Sequence, residues 1–342
     1  MAWHESDIPD LSGYNVLITG ANSGLGLHCA GVLASKGARV LLACRSPERG
    51  TAALEQVAAR ATGPEPELVA LDLASLAAVS DAADTVRDVL GDRLHILLNN
   101  AGVMAPPYKK TSDGFELQFG TNHLGHAALT WLLMPALRNA GTPQLPARVV
   151  TVSSIAAIDA TLDLDDPNFE RRKYKPTDGY GQAKLANQVF ALELARRLRA
   201  ADEPVISVAA HPGYATTDIG RNKARSYGNP IKSAWARAGT WLPEHLFAQS
   251  IDGGALSLLY AATAADVTGG QYIGPDGNRQ LKGDPVALDP LPEASSPEVG
   301  AALWKLTADL TGVTPDPAEV GHGDTVSVSN TGGSNEPSPT HP

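Results

Sequence analysis

The chain has 342 residues, 43% of them hydrophobic, and a formal net charge of −10 at pH 7. That apolar content is ample for a sizeable core, while the acidic balance excludes nucleic acid as a bulk partner, because phosphate binding needs a basic face. No apolar run approaches the ~20 residues that span a membrane, and the acidic, polar opening MAWHESDIPDL does not read as a signal peptide.

Residues 1–11 read as an N-terminal extension. YNVLITG (14–20) is predicted to be a short buried strand, followed by a helical run from Gly24 to Lys36. A second strand, ARVLLAC (38–44), leads into a helix over 48–61. PELVALDL (66–73), LHILLNNAG (94–102) and ARVVTVSS (147–154) repeat the strand pattern. Between them lie helical runs over 75–91 and from about Gly114 to Leu137. A further helix covers 179–200 and a further strand 204–213. Continuous Val/Ile/Leu strands alternating with helices predict an α/β fold, a doubly wound parallel sheet covered on both faces. No repeat or linker divides 12–312, so the expectation is a single domain.

Two segments break the alternation. Residues 155–178 are polar and insertion-like, and 214–249 are apolar but irregular, the pattern of a substrate lid. Residues 313–342 are rich in Pro, Gly, Ser and Thr and are expected to be a disordered tail. Cys29 and Cys44 are the two cysteines, both in apolar stretches and without ligand partners at metal-binding spacing. The expectation is therefore no metal site and a reducing, cytoplasmic setting.

The loop TGANSGLG (19–26) leaves the first strand and opens the first helix. Its glycines permit a tight turn, close backbone approach to a ligand and close helix–strand packing. Free N–H groups at a helix start, together with the helix dipole, favour a pyrophosphate there. Gly20, Asn22, Ser23, Gly24, Leu25 and Gly26 are thus candidate dinucleotide-binding residues. A ribose-binding acid is expected about 20 residues further on, at the end of the second strand. Cys44 stands there instead, and Arg45 follows it. A neutral residue beside a guanidinium suits a 2′-phosphate better than two free hydroxyls, which favours NADP(H) over NAD(H). Asp72, after the third strand, is a candidate for the adenine ring or a solvated turn aspartate.

Tyr180 and Lys184 in YGQAK are four positions apart, so they share one helix face. Such a pair is either a solvated surface contact or a phenol whose proton is controlled by a neighbouring ammonium. A nearby cation favours tyrosinate and lowers the phenol pKa from its ordinary value of ~10.

TGANSGLG, NNAG (99–102), TNHLG (121–125), VTVSS (150–154), YGQAK (180–184) and HPG (211–213) occur in this order. Over roughly residues 12–312 the chain therefore resembles the short-chain dehydrogenase/reductase family. Through ACR, YGQAKLAN, ELARRL and LWKLTADLTGV it is similar to the retinol dehydrogenase and protochlorophyllide reductase-like branch. The resemblance implies a Rossmann-type sheet of order 3-2-1-4-5-6-7 and a catalytic tetrad of Asn122, Ser154, Tyr180 and Lys184. Tyr180 would exchange the proton, Ser154 polarise the substrate oxygen, Lys184 hold the nicotinamide ribose, and Asn122 hold a water that relays protons. Ser154 is preferred to Ser153 because strand alternation turns the two to opposite faces. Asn99, Ala101 and Gly102 would wall the cofactor, Pro212 and Gly213 turn the chain beneath the nicotinamide, and Thr216 lie near the phosphates. His123 and His126 read as ordinary helix histidines.

The implied function is an NADP(H)-preferring oxidoreductase that interconverts a carbonyl and an alcohol. Trp235, Trp241, Leu242 and Phe247 suggest a lid over a medium-sized lipophilic substrate, and a homo-oligomer is implied as well. The alternative is a non-catalytic NADP(H)-binding regulatory module, against which an intact tetrad argues. Light-driven reduction of a tetrapyrrole is disfavoured, since no cysteine lies outside positions 29 and 44.

Overall fold

Val16, Leu17 and Ile18 are consecutive, apolar and fully buried, so strand β1 (Asn15–Thr19) must be covered on both faces. The same holds for its neighbours β2 (Arg39–Cys44) and β4 (Ile96–Asn99). The computed structural model, which describes residues 2–214 and 250–317, places these strands in one eight-stranded sheet. Its order is β3-β2-β1-β4-β5-β6-β7-β8, with β3 at Glu67–Ala70, β5 at Ala147–Val152, β6 at Val205–Ala210, β7 at Tyr272–Pro275 and β8 at Pro285–Leu288.

The pairs from β3 to β7 are all parallel, as expected for strands joined by crossover helices. The expected order 3-2-1-4-5-6-7 is found and extended by β8, which pairs antiparallel with β7. The short connection between them cannot hold a crossover helix, so the chain doubles back as a hairpin.

Helices α1 (Gly24–Ser35), α2 (Pro47–Ala58) and α7 (Ile251–Thr263) pack on one face, against Val16, Ile18 and Leu42. The other face carries α3 (Leu76–Val89), α5 (Gly125–Ala140) and α6 (Pro176–Ala200), against Leu17, Leu97 and Val149. Side-chain caps start three of these helices: Ser46 Oγ accepts from Arg49 N, Ser75 Oγ from Ala78 N and Ser250 Oγ from Gly253 N.

The long helical run expected from Gly114 to Leu137 is interrupted. A single turn, α4 (Leu117–Phe119), passes into a π turn at Gly120–Leu124 before α5 begins. The Gly125 N–H reaches back to the Gly120 carbonyl, an i→i−5 bond. The chain ends its described part with α8 (Pro292–Ser295) and α9 (Pro297–Thr311), which dock on α6. Trp304 of α9 is buried between Phe190 and Trp131. Positions 215–249 of the expected lid, with Thr216, and 318–342 of the expected tail lie outside the described residues.

Candidate active site

At the end of β1 the chain turns at Gly20, whose φ of +67° lies in the left-handed region. A side chain there would meet Ala101 Cα at 2.9 Å. At Gly26 a Cβ would fall 2.6 Å from the Gly20 carbonyl oxygen, so the first turn of α1 can lie against the loop only as glycine. Ser23 precedes α1 without capping it by its side chain, and no acidic residue stands in the first turn. The helix start thus presents N–H donors and a positive dipole end to an anionic group.

These residues open onto a cleft of about 200 Å³. Gly20, Asn22, Ser23, Gly24, Leu25, Gly26, Arg45, Asp72, Ala101 and Gly102 all line it. Asn99 does not. Its position in β4 turns the amide inward, where Nδ2 donates to Thr130 Oγ1 at 2.9 Å, and Asn100 lines the cleft in its place. Asp72 is a turn residue as well as a wall, because Oδ1 accepts from Ala74 N at 3.1 Å and lies 3.9 Å from Arg45 Nη1.

Arg49 and Thr121 are polar lining residues that the sequence reading did not assign to the cleft. Arg49 joins Arg45 at the same mouth because Ser46 and Pro47 start α2 between them; the Ser-Pro helix start was the available signal. Thr121 lines the cleft with a buried Oγ1 that has no hydrogen-bond partner. A glycine cradle, an uncapped helix start, two guanidinium groups and an unsatisfied hydroxyl fit a phosphorylated dinucleotide.

β5 ends at Val152, and the next residues diverge. Ser153 Oγ is buried and donates to the Lys184 carbonyl at 2.8 Å. Ser154 turns the other way: its hydroxyl accepts from Ala156 N at 3.2 Å and lowers the pKa of the Tyr180 phenol. One helical turn beyond Tyr180, Lys184 Nζ lies 5.9 Å from the phenol ring centroid and donates to the Val152 carbonyl at 2.8 Å. A Cβ at Gly102 would lie 3.8 Å from that Nζ and 3.3 Å from Asn122 Oδ1, so lysine and asparagine both adjoin the cleft wall.

The electrostatics run opposite to the simple expectation for the phenol. Tyr180 retains some exposure, but its enclosure pushes the phenol pKa up, and Ser154 offsets part of this. Among the protein's own groups burial therefore wins, rather than the lysine charge. Burial also pulls Lys184 down to about 8.

Asn122 sits in the π turn and spends its side chain on backbone. Oδ1 accepts from Val103 N at 2.8 Å and Nδ2 donates to the Val103 carbonyl at 2.9 Å. Its own carbonyl faces His126 Nδ1 at 2.9 Å. Farther along, Gly213 adopts φ +66° and donates its N–H to His211 Nδ1 at 3.2 Å. This bends the chain just after Pro212. Among the described residues no group of His, Cys, Asp and Glu is placed to hold a metal, and no helix is long and apolar enough to cross a membrane.

Residues 14–228 match the family model described as short chain dehydrogenase. Retinol dehydrogenase 13 of Homo sapiens is 37% identical over 306 residues, covering 89% of this chain and 86% of the relative. Polyprenol dehydrogenase of Mus musculus is 38% identical over 305 residues, with the same coverage of 89% and 86%. A solved structure of an uncharacterised protein from Mycobacterium paratuberculosis superposes with a TM-score of 0.73 at 37% identity, covering 92% of this chain and 98% of that one. RhlG of Pseudomonas aeruginosa, solved as an NADP active-site complex, gives 0.61 at 25% identity, covering 80% and 98%.

Proposed function

The chain belongs to the short-chain dehydrogenase family, and from that premise we propose that this oxidoreductase interconverts a lipophilic carbonyl compound and its alcohol with NADP(H) as preferred cofactor. The observation that carries the reading is the placement of Lys184 one turn from Tyr180, its Nζ 5.9 Å from the phenol ring and beside the Gly102 wall of the cleft, with Ser154 acting on the same phenol.

The nicotinamide, when bound, supplies or accepts the hydride. Every other part falls to this chain. Tyr180 Oη gives its proton to the substrate oxygen in reduction and takes it back in oxidation. Ser154 Oγ donates to the same oxygen as negative charge develops. Lys184, with a pKa near 8, exchanges protons close to neutrality one helical turn from the phenol. Asn122 holds the Val103 backbone, and thereby the chain beside Gly102, against the lysine.

Arg45 and Arg49 support NADP(H) over NAD(H). Both stand at the cleft mouth where a ribose-binding carboxylate would disfavour a 2′-phosphate, and Cys44 takes the acid's place. The lipophilic class is supported by the names of two relatives, a retinol and a polyprenol dehydrogenase.

A screen of aldehydes and ketones of rising chain length with NADPH, followed by loss of nicotinamide absorbance, tests the reading. Tyr180→Phe removes the proton donor and should lower turnover by about 100-fold or more, with NADPH still bound. Turnover equal to that of the wild type would refute the role of Tyr180.

A further inference from the structure

Residues 100–103 wall the cleft and are held at both ends. At one end Thr19 Oγ1 accepts from Asn100 N at 2.9 Å and Ala101 N at 3.0 Å. At the other, the Asn122 amide clasps Val103 N and its carbonyl. One buried side chain touches both holders. His126 lies with Nδ1 2.9 Å from the Asn122 carbonyl and Nε2 2.9 Å from Thr19 Oγ1.

The chemistry of these groups assigns every proton. A carbonyl can only accept, so Nδ1 carries the hydrogen and donates it to Asn122. In the neutral ring Nε2 is then an acceptor, and the Thr19 hydroxyl donates to it at 2.9 Å rather than to the more distant Leu98 carbonyl at 3.4 Å. Thr19 Oγ keeps its lone pairs for the Asn100 and Ala101 N–H groups. Every member is satisfied, and burial with the Lys184 charge holds the imidazole pKa down to about 4, so the ring stays neutral at working pH.

We propose that His126 is a positioning residue which, through its Nδ1–H tautomer, locks the π turn carrying Asn122 to Thr19 and so fixes the cofactor-facing wall 100–103 from both ends. The tie spans two elements far apart in sequence, the end of β1 and the start of α5. It gives the π turn a purpose, since it brings the Asn122 carbonyl and the Asn122 amide to bear on one side of the cleft. The proposal rests on reading this cleft as the dinucleotide site.

Three measurements test it. In the wild-type chain, the carbon and nitrogen chemical shifts of the His126 ring should report the neutral Nδ1–H form between pH 6 and 8; an Nε2–H ring or an imidazolium would overturn the proposal. His126→Leu should weaken NADPH binding about tenfold, the scale of about 1.4 kcal/mol, at temperatures well below its own Tm. NADPH affinity equal to wild type in the folded variant would overturn it too. Thr19→Val should show a loss at least as large, because it also strands the Asn100 and Ala101 N–H groups, and Thr19→Ser should restore affinity. Adding His126→Leu to Thr19→Val should weaken binding less than twofold further, because Thr19→Val has already broken the tie that His126→Leu removes. Full additivity would sink the idea. The Tyr180→Phe result stands apart: unchanged turnover in that variant would refute the catalytic reading, whatever the binding of the His126 variants.

Discussion

The proton-carrying role proposed for Lys184 pulls against the stability of the fold. The lysine is 3% exposed, and enclosure lowers its pKa from 10.5 to about 8. The folded state therefore binds this proton less tightly than the unfolded chain does. The sign follows directly: stability is fully reduced below pH ~8, recovers as pH rises, and is free of the penalty only above about 10.5. The depression corresponds to roughly 3 kcal/mol. Lys184→Met keeps the length of the side chain without the charge. The Val152 carbonyl that Lys184 serves is not stranded, since Asn187 Nδ2 also donates to it at 3.1 Å. The protein without cofactor should thus be stabilised by the substitution at pH 7, with the gain shrinking towards zero as pH approaches 10.5. Turnover should fall at the same time. Chemical denaturation across that pH range checks the prediction, and a gain independent of pH would contradict the buried-ammonium account. Under the proposed function, stability is here given up for a proton carrier at the cleft wall.

Among the elements, α9 shows how much the last described helix matters to α6, which carries Tyr180 and Lys184. Trp304 stacks on Phe190 of α6 at 5.6 Å and 15°, meets Trp131 of α5 edge-on, and has the Arg197 guanidinium 4.6 Å over its ring. Thr307 of the same helix bonds His123 Nε2 at 2.9 Å inside the π turn. Trp304→Ala should cost about 3–5 kcal/mol, the range for emptying an aromatic site in a packed core. Its indole N–H has no partner, so the loss is one of packing and not of a stranded hydrogen bond. Urea unfolding measures this, and a loss below about 1 kcal/mol would mean that the site collapses around the cavity. The legible elements were those whose chemistry is local. The glycine loop needs its spacing in one turn, and Tyr180–Lys184 needs one face of one helix. The π turn was not legible, because TNHLGH keeps a helical apolar period while its bonds shift by one residue. Asn99 and Asn100 exchange places for a related reason: only the point where β4 ends decides which amide faces the cleft. β8 is four residues long, lies between Asp284 and Asp289 and begins with Pro285, so it offers too short a pattern to read.

Taken whole, the molecule puts its cleft where the sheet order reverses. From β1 the chain passes outward to β2 and β3, then returns to β4 on the other side of β1. The loops at the carboxyl ends of β1 and β4 are thereby splayed apart, and this is where ligands of open α/β sheets bind. The cleft's charge should decide which dinucleotide fills it. Arg45 is 64% exposed and, among the described residues, has only Asp72, at 3.9 Å, as a nearby counter-charge. A solvated pair at that distance contributes little, so the guanidinium is available to a 2′-phosphate. Arg49 adds a second donor at the same mouth. A ligand that binds only the folded chain stabilises it by about 2.7 kcal/mol at a hundredfold excess over its Kd. At equal concentrations NADP+ should therefore raise Tm more than NAD+ does. The difference should shrink as salt rises, since these cations are open to screening. It should vanish in the Arg45→Ala, Arg49→Ala double variant, while the shift produced by NAD+ stays as it was, because the glycine cradle and the start of α1 are untouched. Equal shifts from the two cofactors in the wild type would remove the basis for an NADP(H) preference. A loss of both shifts in the double variant would show instead that the arginines hold the cradle itself.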